Sequence, residues 1–172
     1  MQPITPCLWF DNCAEEAVNY YLSVFKNARI TQVVHYDKES AAVSGQREGS
    51  VLTVTYELNG QSFLALKGGP RFKLNEAVSF IVHCDTQDDI DHYWEKLGAG
   101  GEPVAQQCGW LKDKFGVSWQ IVPAELPAFL SWHECKQGDT GLAANEQARH
   151  RGVAARSWWL TVVYSIHKET SR

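Results

Sequence analysis

The sequence predicts an α+β protein made of two copies of one unit, strand–helix–strand–strand–strand, folded around a shared core. Three observations lead there: an internal repeat, a hairpin signal in each copy, and two amphipathic helices that each follow a short apolar strand. A shift of 72 residues lays Val18-Asn19-Tyr20-Tyr21-Leu22 on Ile90-Asp91-His92-Tyr93-Trp94, and Phe25 on Leu97. The hairpins superpose at a shift of 56, with Gly60 on Gly116 and Phe63 on Trp119. The smaller shift shortens the middle of the second copy. Either copy alone has too few apolar residues to fill a core, so the two must share one.

In the first copy, Ile4–Phe10 is short, apolar and bounded by Pro3 and Asp11, as a strand is. Asn12 with Glu15 fits a capping box. Ala14, Ala17, Val18, Tyr21, Leu22 and Phe25 then recur at helical spacing over about three turns. Ile30–Tyr36 alternates, and Lys38–Gly49 is a polar stretch of small residues that reads as a loop. Val51–Leu58 and Gln61–Leu66 flank Asn59-Gly60, a strong hairpin signal. In the second copy, Ala77–Cys84 is the strand, and Thr86 caps a helix striped with Ile90, Tyr93, Trp94 and Leu97. Gly98 stands where a helix C-terminus favours a left-handed residue. Cys108–Leu111 and Val117–Val122 form the second hairpin around Lys112–Gly116.

Composition narrows the function classes. With 172 residues, 44% hydrophobic and 12% aromatic, the chain is neither disordered nor collagen-like. No apolar run approaches the ~20 residues of a membrane span, and Met1-Gln2-Pro3 leads directly into a strand without a signal-peptide pattern, so a cytoplasmic protein is expected. Residues 1–132 carry 10 Lys+Arg against 16 Asp+Glu. That acidic body lacks the basic footprint of a nucleic-acid binder. The five cysteines, Cys7, Cys13, Cys84, Cys108 and Cys135, form no C-x-x-C pair and are odd in number, which speaks against a zinc knuckle or a disulfide framework.

Four stretches resemble the PhnB-like branch, labelled 3-demethylubiquinone 3-methyltransferase-like, of the glyoxalase or vicinal-oxygen-chelate (VOC) superfamily. They are Ile4–Phe10 (ITPCLWF) with Ala14–Phe25, then Leu66–Phe72 (LKGGPRF) running into Asn75-Glu76-Ala77, and Cys108–Pro123 (CGWLKDKFGVSWQIVP). The resemblance covers about residues 3–131. It implies two βαβββ modules, 3–72 and 75–124, forming a curved mixed sheet around a cavity as in glyoxalases and bleomycin-resistance proteins, and it suggests a homodimer. Residues 132–172 depart from the family, whose members usually continue with a Met- and Lys-rich amphipathic helix; a shift of reading frame after Ser131 would produce such a departure. Within this tail, Trp158–Ile166 is β-prone and reads as an added strand, a dimer contact or a sticky tail.

In metal-dependent VOC members each module offers one ligand from its first strand and one from its last. Mapped here, those positions fall on Thr5, Ala77, Leu64 or Ala65, and Gln120. A divalent-metal site needs imidazole or carboxylate at three or four of them, so no metal and no other cofactor is expected. The methyltransferase label finds no support either: Gly68-Gly69 and Gly98–Gly101 do not open a helix after a strand, as a Gly-rich cofactor turn does. With Thr5 and Gln120 facing inward, alternation brings Cys7, Trp9, Ser79, Ile81, His83, Ser118 and Val122 onto one concave face, while Leu8, Phe10, Val78, Phe80, Val82, Trp119 and Ile121 turn to the helices. A mixed face of this kind is the usual form of a small-molecule site. The expected ligand contacts are Cys7, Trp9, Ser79, His83, Trp110, Ser118 and Gln120. The expected function is a cytosolic protein binding a small, partly apolar molecule. One alternative is acid/base catalysis on that ligand, with His35, Cys108 and Gln120 as candidates. Another is a metal-dependent lyase or dioxygenase with unusual ligands such as His35, His83 and Glu57. Asp113, between Lys112 and Lys114, reads as a solvated turn.

Overall fold

The structure, a computed structural model, describes residues 4–107 and 109–125. Its elements run β1 (Cys7–Phe10), α1 (Ala14–Val24), β2 (Ala28–His35), α2 (Lys38–Ser44), β3 (Val51–Leu58), β4 (Gln61–Lys67), β5 (Ser79–Cys84), α3 (Gln87–Gly98), a 3-10 turn (Pro103–Ala105), β6 (Trp110–Lys112) and β7 (Ser118–Pro123). The first module makes a four-stranded sheet ordered β1-β4-β3-β2 and the second a three-stranded sheet ordered β5-β7-β6. In each, the first strand pairs in parallel with the last, Cys7 opposite Leu64 and Ser79 opposite Ser118, and the remaining pairs are antiparallel. The repeat is therefore real in three dimensions.

Local chemistry explains most elements. Asn59 and Gly60 both take positive φ, 48° and 84°, which a tight two-residue hairpin turn requires. Thr86 caps α3 by accepting from the Asp89 backbone N–H at 3.1 Å. Helix α1 starts one residue later than its sequence suggests: Cys13 is the cap residue and makes no side-chain cap bond, while the Asn12 amide donates to Asp11. The polar stretch after β2 is not a plain loop but contains α2. Its capping box joins Asp37 to Ser40, and Gly45 ends it. Gly98 is the last residue of α3, and the left-handed position falls on Gly100.

Among the described residues, the second copy has no counterpart of β2. Gly100, Gly101 and Pro103 fill the short segment after α3, and Pro103 has no N–H to give to a ladder. The chain makes the 3-10 turn there, and only an isolated bridge between Gln107 and Trp110 remains of the strand.

One core joins the modules, with helices and sheets contributing together. Leu8, Phe10, Val54, Tyr56 and Ala65 of the first sheet and Val82, Leu111, Trp119 and Ile121 of the second are buried with Ala17, Val18, Tyr21 and Leu97 of the helices. Aromatic rings cross the junction: Phe63 meets Phe80 edge-on at 5.2 Å, and Trp119 lies 5.4 Å from Tyr21 and 5.6 Å from Phe25. The Tyr20 hydroxyl bonds the Lys96 carbonyl, and His92 Nε2 is 2.9 Å from the Val24 carbonyl, tying α1 to α3. The face expected to pack does so except at Val78, which is 65% exposed because β5 begins only at Ser79.

Candidate functional site

The outward face of each sheet follows from register, because residues directly opposite one another share a face. On the first sheet, Cys7 and Trp9 lie beside Leu64 and Leu66, with Thr55 and Thr53 beyond them. On the second, Ile81, Gln120 and Trp110 form one row, Ser79, Ser118 and Lys112 the next, and His83 stands opposite Val122. The expected contacts thus fall into two groups, one on each sheet, with no ladder joining β1 to β5.

Within the second sheet, the Gln120 amide donates to Ser79 Oγ at 2.8 Å, which leaves the Gln120 carbonyl oxygen to face solvent or a ligand. Ile81 is 51% exposed beside it, and Trp110 is half-buried on the other side. His83 is exposed. Ser118 differs from its neighbours, being 2% exposed and lacking a hydrogen-bond partner at Oγ.

On the first sheet, Cys7 is exposed, and its thiol is held above the ordinary range by partial burial of the sulfur. That disfavours the reactive thiolate. Trp9 is fixed by its surroundings. Its indole N–H donates to the Gly69 carbonyl at 2.8 Å, its ring meets Phe72 edge-on at 4.9 Å, and the face of the indole lies against Gly68. A Cβ at Gly68 would overlap that ring, which gives the Gly-Gly pair of LKGGPRF a packing role.

The candidate metal positions do not assemble a site. Register assigns the last-strand position of the first module to Leu64, since Ala65 pairs with Leu8 and is buried. Thr5 and Ala77 both precede their strands and are exposed. Among the described residues no group of three or more His, Cys, Asp or Glu is placed to hold a metal ion. The unusual set also fails: His35 pairs with Val51 at one end of β3, whereas Glu57, six residues along, lies about 20 Å away and is ion-paired with Arg29. His83 belongs to the other sheet. Donors of this kind do not fit the metal of VOC enzymes. Cys108, the nucleophile candidate, lies outside the described residues, as does the tail with Trp158–Ile166.

Asp113 is the residue whose role the sequence concealed. It is 2% exposed rather than solvated. Its Oδ1 accepts from the backbone N–H groups of Phe115 and Val117 at 2.9 and 3.0 Å, and its Oδ2 from the Tyr21 hydroxyl and Trp119 Nε1 at 2.7 and 2.9 Å. Burial pushes its carboxyl above the ordinary range while the four donors pull the other way. The same burial, with Asp113 beside it, drives the Tyr21 hydroxyl well upward, so the phenol stays neutral. The local half of this arrangement, an Asp side chain bonding the backbone of its own turn, has a sequence signal in Asp-Lys-Phe-Gly. The Tyr21 half does not, since α1 lies 92 residues away.

Comparison with known proteins agrees with this architecture. The family model described as 3-demethylubiquinone-9 3-methyltransferase matches residues 2–122. The PhnB protein from Bacillus cereus is 36% identical, with 72% of this chain and 100% of that one covered at a TM-score of 0.60. Two more distant structures share the fold: protein PA1353 from Pseudomonas aeruginosa, at 16% identity, TM-score 0.56 and coverage of 72% and 98%, and the fosfomycin resistance protein FosX from Listeria monocytogenes, at 14% identity, TM-score 0.51 and coverage of 75% and 96%. Curated proteins give no match. With the paired βαβββ modules and the match over nearly all of both, the chain belongs to the PhnB-like, 3-demethylubiquinone-9 3-methyltransferase family of the VOC superfamily.

Proposed function

We propose that this chain is a cytosolic binding protein for a small, partly apolar molecule, held on the outward face of its sheets without a glyoxalase-type metal centre. The observation that carries this reading is the row Ile81–Gln120–Trp110 with Ser79 beside it. It combines an exposed aliphatic side chain, a half-buried indole and a carbonyl oxygen free to accept. Such a mixture suits a ligand with an apolar body and one donor group. The face is open in one chain, so a homodimer is proposed to close it; exposed Ile30, Val33 and Val34 on β2 supply apolar surface for that contact. No helix among the described residues is long and apolar enough to cross a membrane.

The family description names a methyltransferase. Among the described residues, nothing in the glycine geometry favours a nucleotide-type cofactor: Gly68 is packed under Trp9 and the Gly68-Gly69 pair is followed by Pro70 rather than by a helix. The alternative of acid/base catalysis rests on His35, Cys108 and Gln120; Cys108 lies outside the described residues, and an amide is a weak proton carrier.

A native mass spectrum of untagged protein, compared with a denatured spectrum of the same sample, tests the reading. The expected result is a metal-free dimer that releases a small organic mass on denaturation. A stoichiometric divalent metal would refute the metal-independent reading. Conversion of the recovered compound by added protein would replace binding with catalysis.

A further inference from the structure

Strand β2 ends the first sheet, and among the described residues no strand pairs with its other side. The N–H and C=O groups along such an edge are a template for one more strand. β2 is eight residues long, against four in β1, six in β5 and three in β6, the other strands that end a sheet. It is also bare on the side where a cover is expected. Ile30 pairs with Tyr56 and Val33 with Val54, two residues buried in the core, yet Ile30 and Val33 are each 41% exposed. The covered part of the sheet ends at β3, and an apolar strip continues beyond it.

The sequence after Glu125, the last described residue, contains a segment that matches this edge. Trp158–Ile166 has no charged residue, and at a period of two it sorts cleanly. Trp158, Leu160, Val162, Tyr164 and Ile166 share one side, and Trp159, Thr161, Val163 and Ser165 share the other. Its nine residues suit the eight of β2. The 32 residues from 126 to 157 can span up to about 100 Å, so the segment can reach β2 of its own chain or of a neighbour. A second β2 is the poorer occupant. Paired about a two-fold axis, it would set the bulge at Thr31 against its own copy and bring only Ile30 and Val33 to the apolar side.

We propose that the occupant of the β2 edge is Trp158–Ile166 of a second copy, added as a strand with its apolar side over the strip of Ile30 and Val33. The proposal rests on the homodimer reading, because β2 is the surface assigned to that contact, and it names what the second copy brings. Under two-fold symmetry each chain gives one strand and receives one. That exchange covers both edges and joins the copies in one step, which a chain capping its own β2 does not.

The test is sedimentation of the full chain together with hydrogen exchange of the β2 peptide, read by mass spectrometry, in the parent and in Val162→Pro. Proline removes a ladder N–H and cannot sit inside a paired strand. The expected result is a dimer in the parent and a monomer in the variant, with β2 exchanging at least about tenfold faster in the variant. Leu160→Lys, which puts a charge on the apolar side, should act in the same way, and unchanged far-UV circular dichroism shows that both variants keep the fold. A dimer that survives either substitution, or is lost without a change at β2, would overturn the proposal and move the homodimer contact elsewhere. A monomeric parent whose β2 exchange rises in Val162→Pro would overturn it by placing the segment on its own chain. A monomeric parent with no change at β2 would overturn both the proposal and the homodimer reading.

Discussion

Replacing Asp113 tests whether the two modules are locked together by one buried carboxylate. In Asp113→Asn the side-chain carbonyl can keep the Phe115 and Val117 N–H groups, but the new NH₂ faces the Tyr21 hydroxyl and the Trp119 indole N–H. Tyr21 can rotate its hydroxyl to accept. Trp119 has only a donor and cannot. One buried N–H is orphaned, at about 1–3 kcal/mol, and a charge-assisted bond is weakened as well, so the expected loss is about 2–3 kcal/mol. That is a large share of the 5–15 kcal/mol typical of a domain. Asp113→Ala leaves all four donors unpaired and should cost about 4 kcal/mol or more. Tyr21→Phe removes one donor of the four and should cost about 1 kcal/mol, less in the Asn background than in the parent. Urea unfolding followed by tryptophan fluorescence and by far-UV circular dichroism measures each value. A loss below about 0.5 kcal/mol for Asp113→Asn, the size of an ordinary surface change, would refute the assignment of Asp113 as the link.

Further outcomes follow from the same geometry. Because burial raises the Asp113 carboxyl, the folded chain takes up this proton before the unfolded one does as pH falls. The stability gap between the parent and Asp113→Asn should therefore widen on acidification through the window just above the ordinary carboxylate range; a narrowing gap in pH-dependent urea melts would mean that the four donors outweigh burial. Gly68→Ala drives a methyl into the Trp9 indole and should destabilise by about 1–3 kcal/mol, with recovery in Gly68→Ala/Trp9→Leu; equal thermal midpoints for parent and Gly68→Ala would disprove the contact. If β2 is a dimer surface, Val33→Glu should shift sedimentation from dimer to monomer without loss of circular dichroism, and an unchanged dimer would place the interface elsewhere.

Several features were legible because they are local. The Asn59-Gly60 turn, the Thr86 cap and the stripes of α1 and α3 each depend on residues within a few positions of one another. Helix α2 was legible in principle, since Asp37 and Ser40 make a capping box and Ala41-Ala42 favour a helix, yet its polarity and brevity hid it among loop signals. The second copy's missing strand shows the opposite limit. The repeat argued for it, but Gly100, Gly101 and Pro103 in a short connection outweighed the pattern.

The sequence by itself determined the family, the two modules and which face of each strand is apolar, because repeats and period-two alternation are properties of the chain. Only the tertiary structure decided how those faces are used. It divided the expected ligand contacts between two sheets, buried Ser118 without a hydrogen-bond partner, and turned Trp9 into a packed neighbour of Gly68. It also took Asp113 out of water by carrying Tyr21 across 92 residues to meet it. Solvation and hydrogen-bond partners depend on which distant elements share a core, and spacing along the chain carries no record of that.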